Sequence, residues 1–221
     1  KIGILFLFIF NLNQAEAQRH QWAKSFPKTG GIATNIAIDS NNSVYMTGLF
    51  HDTLRFDSTT ILPPLTAPFQ GNFFSKFDSR GKFLWSKAMY IKTNSTRDAR
   101  FYISGIQVLT NNKIAVFGYF QDGIGALKLT SNDSIVGGKG QESTGFIAVF
   151  DSTGSLLNYK KVYDGLNYDW FYGNGIGSRL EKDQQNNLYI QFYKSEDTKG
   201  YLVNKGGDIL LNDTIPRYME V

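Results

Sequence analysis

Phe73-Phe74-Ser75-Lys76-Phe77-Asp78-Ser79-Arg80-Gly81 returns 73 residues later (146 − 73) as Phe146-Ile147-Ala148-Val149-Phe150-Asp151-Ser152-Thr153-Gly154. Each copy reads as a short strand running into a tight turn. The Asp side chain caps the turn backbone, and the Gly takes the positive φ. Between Phe73–Tyr90 and Phe146–Tyr163, eight of eighteen positions are identical, too many in register for chance. Tyr218-Met219-Glu220-Val221 opens the same strand again, 72 residues beyond Phe146 (218 − 146). A fixed period of this length marks an array of equal supersecondary units.

Three further strands accompany that block in each unit. The first is Thr34–Ile38, matched by Ser104–Val108 and Ser178–Glu181. The second is Val44–Gly48, matched by Ile114–Gly118 and Leu188–Phe192. Ile36 to Val44, Ile106 to Ile114 and Leu180 to Leu188 are each eight apart, with Ser40-Asn41-Asn42, Asn111-Asn112-Lys113 and Gln185-Asn186-Asn187 between them. Asn tolerates the left-handed backbone of a hairpin turn, so each pair is expected to be a hairpin. The fourth strand is Phe83–Ala88, matched by Leu156–Lys161, and Gln21-Trp22-Ala23-Lys24 repeats its Leu84-Trp85-Ser86-Lys87. No apolar period of 3.6 residues runs beyond a turn or two, so helices are not expected.

Four-stranded antiparallel units repeated around an axis make a β-propeller. The expected fold is therefore all-β: a propeller of four-stranded blades, with about three blades present and the ring incomplete. Its units are residues 27–90, 91–163 and 164–221, the last cut short. The N-terminal copy of strand four would lock the ring by pairing with a last blade, and the remaining blades are expected in a C-terminal continuation. The alternative is an open stack of three β units, which would leave an aggregation-prone edge.

Lys1, the apolar run Ile2–Phe10 and Ala15-Glu16-Ala17 follow the order of an export signal, with cleavage expected between Ala17 and Gln18. The run is too short to span a bilayer, which takes about 20 residues. No transmembrane segment is expected in residues 18–221, and a secreted or outer-surface location follows, with the periplasm as the other compartment. Cysteine is absent, so disulfides and a lipoprotein anchor are excluded, and stability must come from burial and hydrogen bonds. The net charge of +4 is scattered with no Lys/Arg run, which argues against nucleic acid.

The pattern W-x-K, I-x-x-D, hydrophobic-Tyr-x-Thr-Gly-x-Phe and F-x-x-K-F-D-x-x-G-x-x-x-W resembles the bacterial β-propeller repeats of the SBBP type. Here it is Trp22-Ala23-Lys24, Ile36 to Asp39, Val44 to Phe50, and Phe74 to Trp85. It is strong in the first unit and fair in the second, where Asn158 replaces Trp85. In the third, Phe192 stands where Gly48 does. The resemblance implies a large exported protein of Gram-negative bacteria, often type IX secretion cargo, that binds or scaffolds. No catalytic residue is carried over by it.

Chemistry-bearing clusters are few. His20 and His51 are the only histidines, and there is no HExxH, so neither a metal site, a cofactor site nor a catalytic triad is expected. Asp39-Ser40-Asn41-Asn42 lacks the Gly and distal Glu of a calcium loop and reads as a turn. Gly173-Asn174-Gly175-Ile176-Gly177 and Gly137-Gly138-Lys139-Gly140 lack the spacing and context of phosphate-binding loops. The loops from strand four to the next strand one are richer. Residues 94–102 carry Arg100 and Tyr102, and residues 164–172 carry Tyr168, Asp169, Trp170 and Tyr172. Aromatic planes edged by charged hydrogen-bonding groups suit a carbohydrate or peptide. The competing reading is that the aromatics cap the gap between blades. Asp52-Thr53-Leu54, Asp133-Ser134-Ile135 and Asp213-Thr214-Ile215 resemble bacterial O-glycosylation sites, which would modify Thr53, Ser134 and Thr214.

The expected function is a non-enzymatic binding or scaffolding module for a protein or glycan ligand. The alternatives are a propeller enzyme acting on glycans, with its acid and base partly in other blades, and a structural adhesion array.

Overall fold

The computed structural model describes residues 22–23, 31–57, 61–62, 71–92, 100–121, 125–137, 143–166, 179–184, 187–192 and 199–203. The described residues form antiparallel sheets and one 3-10 turn at Thr110–Asn112, with no α-helix among them. In the first sheet β1 (Gly31–Ile38), β2 (Val44–Phe50), β5 (Gly71–Phe77) and β6 (Phe83–Lys92) lie side by side in that order. The second sheet repeats the arrangement with β7 (Arg100–Val108), β8 (Ile114–Gln121), β11 (Ser143–Phe150) and β12 (Leu156–Leu166). A third contains β13 (Arg179–Lys182), β14 (Leu188–Phe192) and β15 (Lys199–Val203). None of the sheets closes on itself.

The first two sheets match in detail. Ile36 pairs with Met46, and Ile106 with Val116. Gly48 pairs with Phe73, and Gly118 with Phe146. Opposite each of these glycines the register slips, between Ala33 and Asn35 in β1 and between Ile103 and Gly105 in β7. A Cβ on Gly48 would meet the Phe73 ring at 2.6 Å, and one on Gly118 the Phe146 ring at 3.0 Å. The Phe ring lies over the glycine and covers the backbone that a side chain would otherwise shield. The Asn expectation also holds: Asn42 and Asn112 sit at φ 59° and 55° in the two strand-one-to-two turns. Gly81 and Gly154 take φ 78° and 80°.

Two departures from the expected four-strand pattern stand out. The stretch between β8 and β11 folds into a hairpin, β9 (Ala126–Lys128) and β10 (Ser134–Val136). β9 pairs with Tyr90–Lys92 of β6, so a hairpin from the second half of the chain extends the first sheet to six strands. Ile91 and Leu127 face each other across that junction and are both buried, which supplies the apolar gain for crossing between sheets. The counterpart in the first half is β3 (Leu54–Arg55) with β4 (Ile61–Leu62). Leu54 pairs with Leu62 just as Leu127, 73 residues on, pairs with Ile135. In the third sheet, β15 takes the place beside β14. Tyr218–Val221, expected to begin a strand there, lie outside the described residues, as does the export signal of residues 1–17.

The core lies between the sheets. Tyr45, Phe74, Met89 and Ile91 of the first sheet pack with Phe101, Ile106, Val116, Phe146 and Phe150 of the second, and with Leu127, Leu129 and Ile135 of the crossing hairpin. Ala115, Phe117, Ile147 and Val149 on the opposite face of the second sheet pack with Leu180, Leu188 and Ile190 of the third. On the far side of the first sheet, Phe50, Phe73 and Phe77 are covered by Leu54, Phe56 and Trp22.

Side-chain amides complete these interfaces. Asn35 Nδ2 and Asn72 Nδ2 donate to the Ile103 and Phe101 carbonyls of β7, both at 2.9 Å. Gln107 Nε2 donates to the Leu180 carbonyl at 3.0 Å. The strand-one edges thus gain acceptor partners from the neighbouring sheet rather than from a paired strand.

Each Asp-x-x-Gly turn also holds an indole. A Cβ on Gly81 would approach Trp22 Cδ2 at 2.7 Å, and one on Gly154 would approach Trp85 Cζ3 at 3.0 Å. Trp85 Nε1 donates to the Ser152 carbonyl at 3.1 Å in the same turn. Trp85→Ala removes half-buried ring area and this hydrogen bond, and should lower unfolding free energy by about 3 kcal/mol. Gly154→Ala forces a side chain onto a positive φ and into the indole, and should cost about 1–2 kcal/mol. Urea unfolding of the two variants beside the parent protein checks both values.

Candidate functional site

The two ends of the sheets have different chemistry. At the turn end, the aspartates are consumed by their own turns. Asp39 Oδ1 accepts from the Asn41 and Ser43 amides at 2.9 and 2.8 Å. Asp78 Oδ1 accepts from Arg80 and Lys82 amides, both at 2.9 Å, and Asp151 Oδ1 from those of Thr153 and Ser155 at 2.8 and 2.9 Å. Asp183 Oδ1 accepts from the Asn187 amide at 2.8 Å. The hairpin reading of Asp39-Ser40-Asn41-Asn42 therefore holds.

Asp39 adds a buried polar network. Its Oδ2 accepts from Tyr45 OH at 3.2 Å and pairs with Lys76 Nζ at 3.6 Å. Lys76 Nζ lies 4.8 Å from the Tyr45 ring centroid and reaches the Ser152 carbonyl at 3.4 Å, tying the first sheet to the second. Burial by itself would raise the Asp39 carboxyl, but the Ser43 and Asn41 amides and the Lys76 charge hold it below its ordinary value. Burial, and then the Asp39 charge, push the Tyr45 hydroxyl well above its ordinary value, so it stays protonated and donates. Tyr189 OH repeats the contact in the third sheet, donating to Asp183 Oδ2 at 2.9 Å.

The other end carries the candidate ligand-contact residues. Arg100 opens β7 in register with Gln121, which also pairs with Ser143. Tyr102 pairs with Tyr119 on β8, their ring centroids 5.4 Å apart at 31°. Burial and the nearby Tyr102 push the Tyr119 hydroxyl up to about 12, with the Arg100 charge opposing. Tyr119 packs on the core between the second and third sheets, so the pair stands over that junction. Gln121, Ser143 and Thr144 are buried beside it.

Of the residues singled out in the sequence, the structure therefore places Arg100 and Tyr102 together. Tyr168, Asp169, Trp170 and Tyr172 lie outside the described residues, as does Thr214. Thr53 and Ser134 do not occupy matching places: Thr53 precedes the first arm of its hairpin, whereas Ser134 opens the second arm of the other. Sequence reasoning missed Tyr119 and Gln121. The hairpin register, counted outward from Asn111-Asn112-Lys113, puts Tyr119 opposite Tyr102 and would have found it. Among the described residues, no group of three His, Asp or Glu side chains could hold a metal ion. No helix there is long and apolar enough to cross a membrane.

No protein-family profile matches the chain, and no curated protein does. Among solved structures, it is similar to a protein of unknown function from Bacteroides caccae, at 10% identity and a TM-score of 0.35. That likeness covers 85% of this chain and 58% of the other, so this chain spans under two thirds of that protein's length. At that level it carries no argument about fold or function.

Acid should loosen the sheet junction. Asp39 and Asp151 have folded-state values below the ordinary carboxylate value of 3.8, so the folded state binds fewer protons than the unfolded one. Their contribution is present above that value and is lost as pH falls through it. Asp39→Asn should flatten this acid limb, and Tyr45→Phe should cost about 1 kcal/mol at neutral pH. Thermal unfolding between neutral pH and pH 2.5 tests both.

Proposed function

We propose that this chain is part of an exported β-propeller of the SBBP type that binds or scaffolds and performs no catalysis. Successive sheets stack face to face through matching positions, as blades do around an axis, and a ring of such sheets would close the fold. The observation that carries the non-catalytic reading is the fate of the aspartates. Asp39, Asp78, Asp151 and Asp183 are spent on turn amides, so the recurring carboxylates serve the backbone rather than a reacting bond. A glycan-cleaving propeller would need a pair of carboxyls turned toward the substrate.

Binding is assigned to the end holding Arg100, Tyr102 and Tyr119. Paired phenol rings offer a flat apolar face, and the guanidinium favours an anionic group at its edge. An acidic polysaccharide or an acidic peptide strand fits this chemistry. Export and O-glycosylation at Thr53, Ser134 and Thr214 belong to the same reading.

Affinity electrophoresis through gels containing polygalacturonate, with a neutral glucan as control, tests it. The acidic polymer should retard the protein, and Tyr102→Ala should weaken the retardation about tenfold, equivalent to ~1.4 kcal/mol. Release of reducing ends from the polymer, lost on substitution of an aspartate, would replace this reading with the enzymatic one.

A further inference from the structure

We infer that the outer face of β1 is a docking surface for a second copy of this chain, seated head to tail against that copy's third sheet. The inference rests on the stacked-array reading above and extends it to assembly.

The argument begins with three side chains at one strand-one position. Ile36, Ile106 and Leu180 pair with Met46, Val116 and Ile190 respectively. Ile106 is 5% exposed and Leu180 4%, because the preceding sheet lies on each. Ile36 is 60% exposed, with Ile38 at 59% and Ile32 at 68% beside it. Three isoleucines in one strand thus present to solvent a face that the other two sheets bury.

The β3–β4 hairpin points the same way. Its counterpart β9–β10 adds to β6, the fourth strand of the preceding sheet. Among the described residues β3–β4 pairs with no further strand. Both devices by which the second sheet engages the first are therefore present on the first sheet with their partner position unfilled.

The complementary face exists elsewhere in the chain. Ala37 and Tyr45 of the first sheet, and Gln107 and Ala115 of the second, occupy the positions that face the following sheet. Glu181 and Tyr189 occupy them in the third, where both are exposed. Tyr189 keeps the hydroxyl-to-Asp contact that Tyr45 makes, so this face is prepared like the buried ones. Gln107 reaches the backbone of the neighbouring strand one through its amide, and Glu181 in that position would accept from a backbone N–H. The face that receives a sheet and the face that offers one are different surfaces. Their contact is heterologous, and repeated copies either close into a ring or run on.

Sedimentation equilibrium of the chain tests this, using one variant for each face. Ile36→Asp/Ile38→Asp alters the receiving face and Tyr189→Arg the offering face. All four positions at issue are exposed, and circular dichroism confirms that the variants keep their sheets. The parent chain should have a mass above the monomer that falls on dilution, and each variant alone should be monomeric. An equimolar mixture should form a one-to-one pair, because each variant retains the face the other lacks. A monomeric parent chain overturns the inference. So does a Tyr189→Arg variant that still self-associates while the isoleucine variant does not, since that result means face-to-face pairing of β1. Polysaccharide retardation is read separately, so failure of assembly and failure of the binding assignment are distinguishable.

Discussion

Phe74 lies with its ring 6.3 Å from Tyr45, 4.9 Å from Trp85 and 5.1 Å from Phe150, and the contact with Phe150 crosses from the first sheet to the second. The rest of the structure depends on this burial. With no cysteine in 221 residues, nothing covalent holds one sheet to another. A single antiparallel sheet cannot bury two apolar faces by itself, so each must stack on a neighbour. The second sheet does so on both sides, and its β11 is buried along its whole length. The first does so on one side and borrows Trp22, Leu54 and Phe56 to cover part of the other.

Stacking brings edge strands together, and edge strands carry unpaired backbone groups. The chain answers with amides at Asn35, Asn72 and Gln107 that reach across to carbonyls of the adjacent β7 or β13. Lys182 Nζ returns the favour to the Val108 carbonyl at 2.8 Å. Such bonds add specificity to an apolar interface, because a slipped register would bury those carbonyls unsatisfied. The aspartate turns fix one end of every hairpin and leave the opposite end to vary. Variation at that end, with Arg100 and the Tyr102–Tyr119 pair, is where recognition chemistry can be placed without disturbing the stack.

The repeated block carried a large share of the fold. Asn at the first turn, Asp-x-x-Gly at the second and the eight-residue offset between strands one and two each have a local backbone cause. The structure reproduces them at Asn42, Asn112, Gly81 and Gly154. What the sequence hid is non-local. The arms of β9–β10 are three residues each, too short for an alternation to register, and their partner β6 lies more than thirty residues earlier. Prolines 63, 64 and 68 marked the matching first-half stretch as a loop, although Leu54 and Leu62 within it pair. For the candidate site, Arg100 and Tyr102 were legible as loop-edge residues. Tyr119 was not, because it sits inside a run that reads as ordinary strand.

The account turns on one claim: sheets meet through matching positions, with the indole of one fourth strand seated on the glycine of the next Asp-x-x-Gly turn. Nuclear Overhauser contacts measured from the glycine Hα protons test it most directly. Gly81 Hα should show contacts to the Trp22 indole, and Gly154 Hα to the Trp85 indole, each vanishing when its own tryptophan is replaced by leucine. Cross-strand contacts within each sheet, without either glycine–indole contact, would mean that the strands form but the sheets do not stack in this way.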